Sequence, residues 1–244
     1  MQAPVYLCLL GNDPAPAYLG LKVVEREAVR VAKAVFYSFP AWNEEYGKKR
    51  QAFFRLLSEK GVLYEERPLE KGLEEAEARE VWVNLTGGAK YWAVRFLGHW
   101  RRPGARVFLV EGHRAPEAPR ALFLWPREEE RSLEAEALTL EEYARLYLEP
   151  LGEAWERVSP PGAFPPGAQA ARLPGREGGV FVVHRGLPYW YWVRPHLGGE
   201  AKEMSRKALS AFSGEAKRLG GQLCLPVVPY HKAHLRSRHP KERE

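Results

Sequence analysis

The residues with the clearest chemical content lie in Val81-Trp82-Val83-Asn84-Leu85-Thr86-Gly87-Gly88-Ala89-Lys90. An apolar, β-branched run stops at Thr86-Gly87-Gly88, and a helix-like run begins at Ala89. Adjacent glycines let the backbone approach an oxyanion closely. A helix N-terminus adds free N–H groups and a partial positive charge. Lys90, at the start of that helix, brings a full charge to the same place. The pattern predicts an anion site for a phosphate-bearing ligand, built from Thr86, Gly87, Gly88 and Lys90, with Asn84 either orienting the loop or binding a base edge. A second loop, Gly11-Asn12-Asp13-Pro14-Ala15-Pro16, follows an earlier apolar run and adds Gly11 and Asn12 to the candidates. Asp13 is the only aspartate of the chain. It reads as a helix cap turned away from phosphates, ahead of a proline suited to a first helical turn. Neither loop is the dinucleotide fingerprint G-x-G-x-x-G or the P-loop G-x-x-x-x-G-K-[ST]. No cofactor is expected.

The elements that must position these loops alternate. Strands are predicted at Val5–Leu10, Val31–Tyr37, Val62–Tyr64, Val81–Leu85, Arg106–Val110 and Ala121–Trp125. Helices are predicted from Pro14 to about Arg30, over Asn43–Lys60, over Leu69–Arg79 and from Ala89 to about His99. Continuous apolar strands alternating with helices argue a parallel sheet covered on both faces. In such a sheet ligands sit at the carboxyl ends of strands where strand order reverses, and both loops follow strands. The fold class is therefore α/β: a Rossmann-like domain over residues 1–130, with a second, smaller unit. Residues 131–177 read as a helix and a Pro-rich linker. Thr139-Leu140-Glu141-Glu142 has the form of a capping box, and Ser159-Pro160-Pro161-Gly162-Ala163-Phe164-Pro165-Pro166-Gly167 is a stiff spacer. Residues 178–244 hold a predicted hairpin, Val180–His184 with Leu187–Val193, a helix over Glu200–Leu219 and a last strand at Leu223–Val228. A unit of this size is small to fold alone and is expected to pack on the first domain or on a partner.

With 45% apolar and 28% charged residues, the composition is that of a soluble globular protein. No apolar run reaches the ~18–20 residues needed to span a bilayer, and no leader-like segment opens the chain, so a cytoplasmic protein without a membrane partner is expected. Cys8 and Cys224 are the only cysteines, each in an apolar run, which suggests neither a disulfide framework nor a zinc site. The chain lacks isoleucine and is poor in Asn, Gln, Met and Cys, a pattern that suits a thermophile. The net charge of +6 is unevenly spread: residues 172–244 carry 14 Lys/Arg against six Glu, and the rest of the chain 23 against 25 acidic residues. The surplus favours a polyanionic partner in the C-terminal third; the alternative is a solvated basic tail, since His231 to Glu244 alone holds five Lys/Arg. His231, His234 and His239 fall in that basic tail and read as solvated rather than metal-ligating.

Leu9-Leu10-Gly11-Asn12-Asp13-Pro14-Ala15-Pro16 after the first strand, with Asn84-Leu85-Thr86-Gly87-Gly88-Ala89-Lys90 after a later one, resembles the CRISPR-associated Rossmann fold (CARF) family. The branch it resembles carries an N-x-T-G-G-T-K motif and is fused to restriction-endonuclease-like nucleases of type III CRISPR systems. The likeness covers about residues 4–130 and departs from the motif at Ala89, where the family has threonine. It implies a dimer that binds cyclic oligoadenylate across its two-fold axis, the tetra-adenylate first among ring sizes, in antiviral defence. Beyond it, Val180–Arg194 and the helix ending at Gly221 resemble the core of a PD-(D/E)xK nuclease. Laid on that pattern, the E-x-K positions fall on Trp192-Val193-Arg194 and the aspartate near Val180, so the carboxylates that would hold a divalent metal are missing. A degenerate nuclease-like unit without a metal site is expected.

Three functions compete at this level, and no catalytic residue is assigned. The first is a sensor or regulatory protein for cyclic oligoadenylate. The second is a ring nuclease that linearises the messenger without metal, by attack of a ribose 2′-OH on the adjacent phosphate. The third is a nucleic-acid-binding module acting through the C-terminal third, where the alternating aromatics of Pro188-Tyr189-Trp190-Tyr191-Trp192 either place one face in a core and the other at an interface or stack bases.

Overall fold

The computed structural model describes residues 3–28, 30–40, 43–69, 80–111, 120–126, 132–134, 138–160, 166–174, 179–184, 187–192, 218 and 222–223. Strands β1 (Val5–Leu10), β2 (Lys33–Ser38), β3 (Tyr64–Pro68), β4 (Val81–Asn84), β5 (Ala105–Glu111), β6 (Arg120–Trp125) and β7 (Ser132–Glu134) form one sheet, ordered β3-β2-β1-β4-β5-β6-β7. The first five run parallel. β6 and β7 are antiparallel additions. A parallel sheet is the sequence expectation, met by the first five strands, and the reversal at β6 has a simple cause. Eight residues separate β5 from β6, fewer than the dozen or so that a parallel crossover needs. The class is α/β, as expected.

Strand order reverses between β1 and β4, and the helices follow that reversal. α1 (Ala15–Ala28) and α2 (Glu44–Glu59) cover one face, and α3 (Lys90–Trp100) covers the other. Tyr6, Cys8 and Leu10 of β1 pack with Tyr18 and Val24 of α1 and Phe53 and Leu57 of α2. Leu7 and Leu9, pointing the other way, pack with Phe96 and Trp100 of α3. Burial on both faces is why β1 and β4 read as unbroken apolar runs. The ends of α2 are set locally. Asn43 is the N-cap, its side chain accepting from the Tyr46 N–H at 3.0 Å. No described helix is long and apolar enough to cross a membrane.

A capped turn, α4 (Leu140–Tyr143), continues as a π-helical turn (Ala144–Leu148) and a 3₁₀ turn (Glu149–Leu151) across α1 and α2. Thr139 and Glu142 make the expected capping box. Glu142 does more. Its buried carboxylate accepts from Lys22 Nζ at 2.8 Å, Tyr18 Oη at 2.7 Å and Lys60 Nζ at 3.1 Å. Burial raises this carboxyl, but Lys22, the Thr139 N–H and Tyr18 outweigh burial and hold it below the usual carboxylate range.

A second sheet, ordered β12-β11-β10-β9-β8, contains β8 (Glu156–Val158), β9 (Gln169–Arg172), β10 (Gly179–His184), β11 (Leu187–Trp192) and β12 (Gln222–Leu223). β10 and β11 are the predicted hairpin, antiparallel with His184 opposite Leu187. β8 and β9 are not foreseen from the sequence: each is only three or four residues long, on either side of the Pro-rich spacer. Ala171 and Leu173 join the core beneath α1 and α2. Arg218 pairs with Glu45 of α2 at 3.0 Å and with Glu153 at 2.6 Å. The predicted helices over Leu69–Arg79 and Glu200–Leu219 lie almost wholly outside the described residues. So do Cys224, the His231, His234 and His239 tail, and most of the predicted last strand.

Candidate functional site

The loops after β1 and β4 meet where strand order reverses, the position at which open α/β sheets bind ligands. Between them lies a cavity of about 540 Å³. Gly11, Asn12 and Asp13 line it from the first loop, and Thr86, Gly87, Gly88 and Ala89 from the second. Phe39 and Pro40, which follow β2, form an apolar wall, and Arg50 reaches in from α2.

The two loops are packed backbone to backbone. A Cβ on Gly87 would stand 2.0 Å from the Leu9 carbonyl oxygen and 2.8 Å from the Gly11 nitrogen. A Cβ on Gly11 would come within 3.2 Å of the Gly88 nitrogen. Gly88 has a φ of 83°, the left-handed region that favours glycine. Close approach to an anion is the sequence-level reason for these glycines. The geometry adds a second reason: Gly87 is glycine because the end of β1 leaves no room for a side chain.

Asn84 lies beneath the cavity and is fully buried. Its Nδ2 donates to Tyr6 Oη and to the Pro16 carbonyl, both at 2.9 Å. Its Oδ1 accepts from the Thr86 N–H at 2.9 Å and from the Thr86 hydroxyl at 2.5 Å. All four hydrogen-bonding positions of the amide are thus spent, three on the two loops and one on Tyr6 of β1. Of the two roles open to Asn84 from sequence, the geometry is that of loop orientation. Thr86 passes the tie onward, since its Oγ1 accepts from the Val110 N–H of β5 at 2.6 Å. Gly20 of α1 belongs to the same cluster, and sequence reasoning missed it. A Cβ there would lie 2.2 Å from Asn84 Nδ2 and 2.6 Å from Tyr6 Oη.

Lys90 is the first residue of α3 and is exposed, outside the cavity lining. Ala89, in the N-cap position, makes no side-chain cap bond. The N-cap side chain therefore satisfies none of the first-turn N–H groups. Asp13 accepts from the Ala15 N–H at 3.1 Å and from the Tyr147 hydroxyl. It holds the start of α1, as its place before Pro14 suggests, but it also lines the cavity, so the expectation that it turns away from the ligand space is not met. Arg50 is the other residue that sequence reasoning missed. It is the only Lys or Arg lining the cavity among the described residues, and its Nε is buried without a hydrogen-bond partner. The structure thus gathers Gly11, Asn12, Thr86, Gly87 and Gly88 around one space, puts Asn84 under it and leaves Lys90 at its margin.

Cys8 is buried, with its thiol pushed up to about 12 by burial. Among the described residues no group of three or more His, Cys, Asp or Glu could hold a metal ion.

Over 99% of its length the chain is 99% identical to part of a solved structure of a type III CRISPR defence DNA nuclease activated by cyclic oligoadenylate, with a TM-score of 0.87. It spans 39% of that protein's length. Two further structures are remote, each 17% identical. One is a Vibrio cholerae protein matched over 64% of this chain and 41% of its own, with a TM-score of 0.47. The other is Can2 from Sulfobacillus thermosulfidooxidans in complex with cyclic tetra-adenylate, matched over 63% and 41%, with a TM-score of 0.42. No protein-family model matches the chain, and no curated protein does.

Proposed function

We propose that this chain is a sensor of cyclic oligoadenylate within a type III CRISPR defence nuclease. The observation that carries the reading is the cavity between the interlocked Gly11 and Gly87-Gly88 loops at the reversal of strand order. The near-identity to part of a nuclease activated by that messenger supports it. Backbone N–H groups around Gly87–Lys90 and the Lys90 ammonium would face phosphates, and Phe39 and Pro40 offer an apolar wall to a base. In this reading the chain carries the CARF-type N-x-T-G-G-x-K loop, with Ala89 giving up one hydroxyl donor.

A ring of four adenylates has two-fold symmetry, so a two-fold pair of such loops would grip it with two Lys90 side chains. The surface beside Lys90 suits pairing: Tyr91 and Val94, 64% and 70% exposed, lie three residues apart on one side of α3. We therefore read the working unit as a homodimer with the tetra-adenylate between its protomers. The β8–β12 sheet we read as a degenerate nuclease-like unit, since neither hairpin strand carries an Asp or Glu. Cleavage of DNA would then belong to a part of the longer nuclease that this chain does not span. Ring cleavage by this chain is the competing reading. Asp13, the one carboxylate lining the cavity, is held by the Ala15 N–H and Tyr147, and no free general base faces the loops among the described residues.

The test is a melting panel with cyclic tri-, tetra- and hexa-adenylate. A ligand at about 100 times its dissociation constant adds roughly 2.7 kcal/mol. A melting temperature that no ring raises would refute the proposal. Conversion of the ring to linear products within minutes would replace the sensor by a ring nuclease. Binding to DNA or RNA, falling steeply with salt, would add the nucleic-acid contact that the basic C-terminal third suggests.

A further inference from the structure

We propose that Arg50 is the residue that reads a phosphate of the ligand inside the cavity, and that Glu66 holds it in waiting. The inference rests on the reading of the cavity as a cyclic oligoadenylate site and adds to it a phosphate-binding cation.

Charge comes first. A nucleotide ring brings several negative phosphates, yet Asp13 lines the cavity and Glu66 lies just behind it. Arg50 is the one basic residue in the described lining. Its side chain is only 14% exposed, which strengthens any ion pair it makes relative to one made by an exposed lysine.

The hydrogen-bonding state of Arg50 comes second. A guanidinium has five N–H donors. Here Nη1 reaches Glu66 Oε1 at 3.3 Å, a long and single bond. Nε, at the other edge of the fork, is buried and has no partner. Buried polar groups without partners are rare in native structures, and such a group asks for an explanation. The Nε–Nη2 edge is the one that takes two oxygens of a phosphate side by side. Glu66 on Nη1 leaves that edge unclaimed.

Third, Glu66 is prepared to let Arg50 go. The same Oε1 accepts from the Ser38 hydroxyl at the end of β2, so the carboxylate keeps a donor when the guanidinium turns. A phosphate entering between Phe39 and Gly88 would draw Arg50 off its one long bond and onto a two-point contact. Lys90, outside the lining, would act on the same ligand from the surface.

The test is calorimetric titration of the 244-residue chain and its Arg50→Ala, Arg50→Lys and Glu66→Gln variants with cyclic tetra-adenylate. Each variant is first melted without ligand to show that it is folded. Arg50→Ala should weaken binding at least tenfold. Arg50→Lys should recover only part of the loss, because an ammonium cannot make the two-point contact. Glu66→Gln should bind more tightly than wild type, because the competing carboxylate is gone. Wild-type affinity in folded Arg50→Ala overturns the inference and leaves the sensor reading standing. If the wild-type chain binds no ring at all, the sensor reading fails. Arg50 is then judged with inorganic pyrophosphate, where an equal melting shift in wild type and Arg50→Ala overturns it.

Discussion

Asn84→Asp separates a residue that builds the site from one that touches the ligand. Aspartate keeps the shape of the side chain and an acceptor for the two Thr86 donors. It loses the Nδ2 group, which donates to Tyr6 Oη and the Pro16 carbonyl at 2.9 Å each. The Pro16 oxygen would then face another oxygen. Tyr6 cannot repair the loss, because its hydroxyl already donates to the Ala17 carbonyl at 2.8 Å. Two buried acceptors lose a donor, at about 1–3 kcal/mol each, or roughly 2–6 kcal/mol together. Burial penalises the ionised carboxylate further. One kcal/mol shifts the melting of a protein of this size by roughly 2–4 °C, so the variant should melt at least about 4 °C lower. Scanning calorimetry without ligand measures this, and titration with cyclic tetra-adenylate shows whether affinity falls as well. A variant that melts like wild type and loses only affinity would mean that Asn84 reads a base edge, and the loop-orienting role would be wrong.

Three other perturbations follow from the same geometry. Gly87→Ala pushes a Cβ against the Leu9 carbonyl oxygen and should lower the melting temperature and abolish ligand binding together, while Gly88→Ala meets nothing nearer than 3.4 Å, costs about 1–2 kcal/mol for its positive φ and should leave a folded chain; equal melting of the two variants would contradict the interlock. Lys90→Ala, at an exposed position, should leave the melting temperature unchanged and weaken cyclic oligoadenylate at least tenfold, since a charge-assisted hydrogen bond is worth about 1.5–3 kcal/mol; calorimetry with unchanged affinity would remove Lys90 from the site. The Glu142 carboxyl is held below its usual value of 4.5, so its contribution is full above that pH and is lost as pH falls through the lower folded value; acid titration of Glu142→Gln should lack this part of the wild-type slope, and parallel titrations would refute it.

What was legible in the sequence follows the range of the physics involved. β1 and β4 stand out because strands buried on both faces must be apolar throughout, and α2 because Asn43 marks its start within a few bonds. The capping box at Thr139 is equally local. The position of β6 is legible but its direction is not, since direction depends on what the intervening residues can span. Arg50 is invisible locally: α2 also carries Lys48, Lys49 and Arg55, and nothing in their spacing singles one out. Only the seating of α2 over the end of β2 brings Arg50 to the cavity. Gly20 reads as an ordinary helix-weakening glycine until Asn84, 64 positions away in the chain, is seen to fill the space its side chain would need.

The interlock also limits what mutants of this site can say. Gly11, Gly20, Gly87, Asn84 and Thr86 hold the two loops to β1, α1 and β5, so any change there moves the cavity walls before it touches a ligand. Loss of binding in such variants reports the wall, not a contact. Lys90 is different, because its exposed side chain supports nothing else. Arg50 is different for another reason: its one hydrogen bond goes to a carboxylate that Ser38 also holds. A ligand contact can therefore be read cleanly at these two cations. In the proposed reading, a Rossmann-like sheet that spends its glycine loops on each other leaves recognition of the anion to backbone N–H groups, which only a proline substitution removes, and to positive side chains brought in from the neighbouring helices.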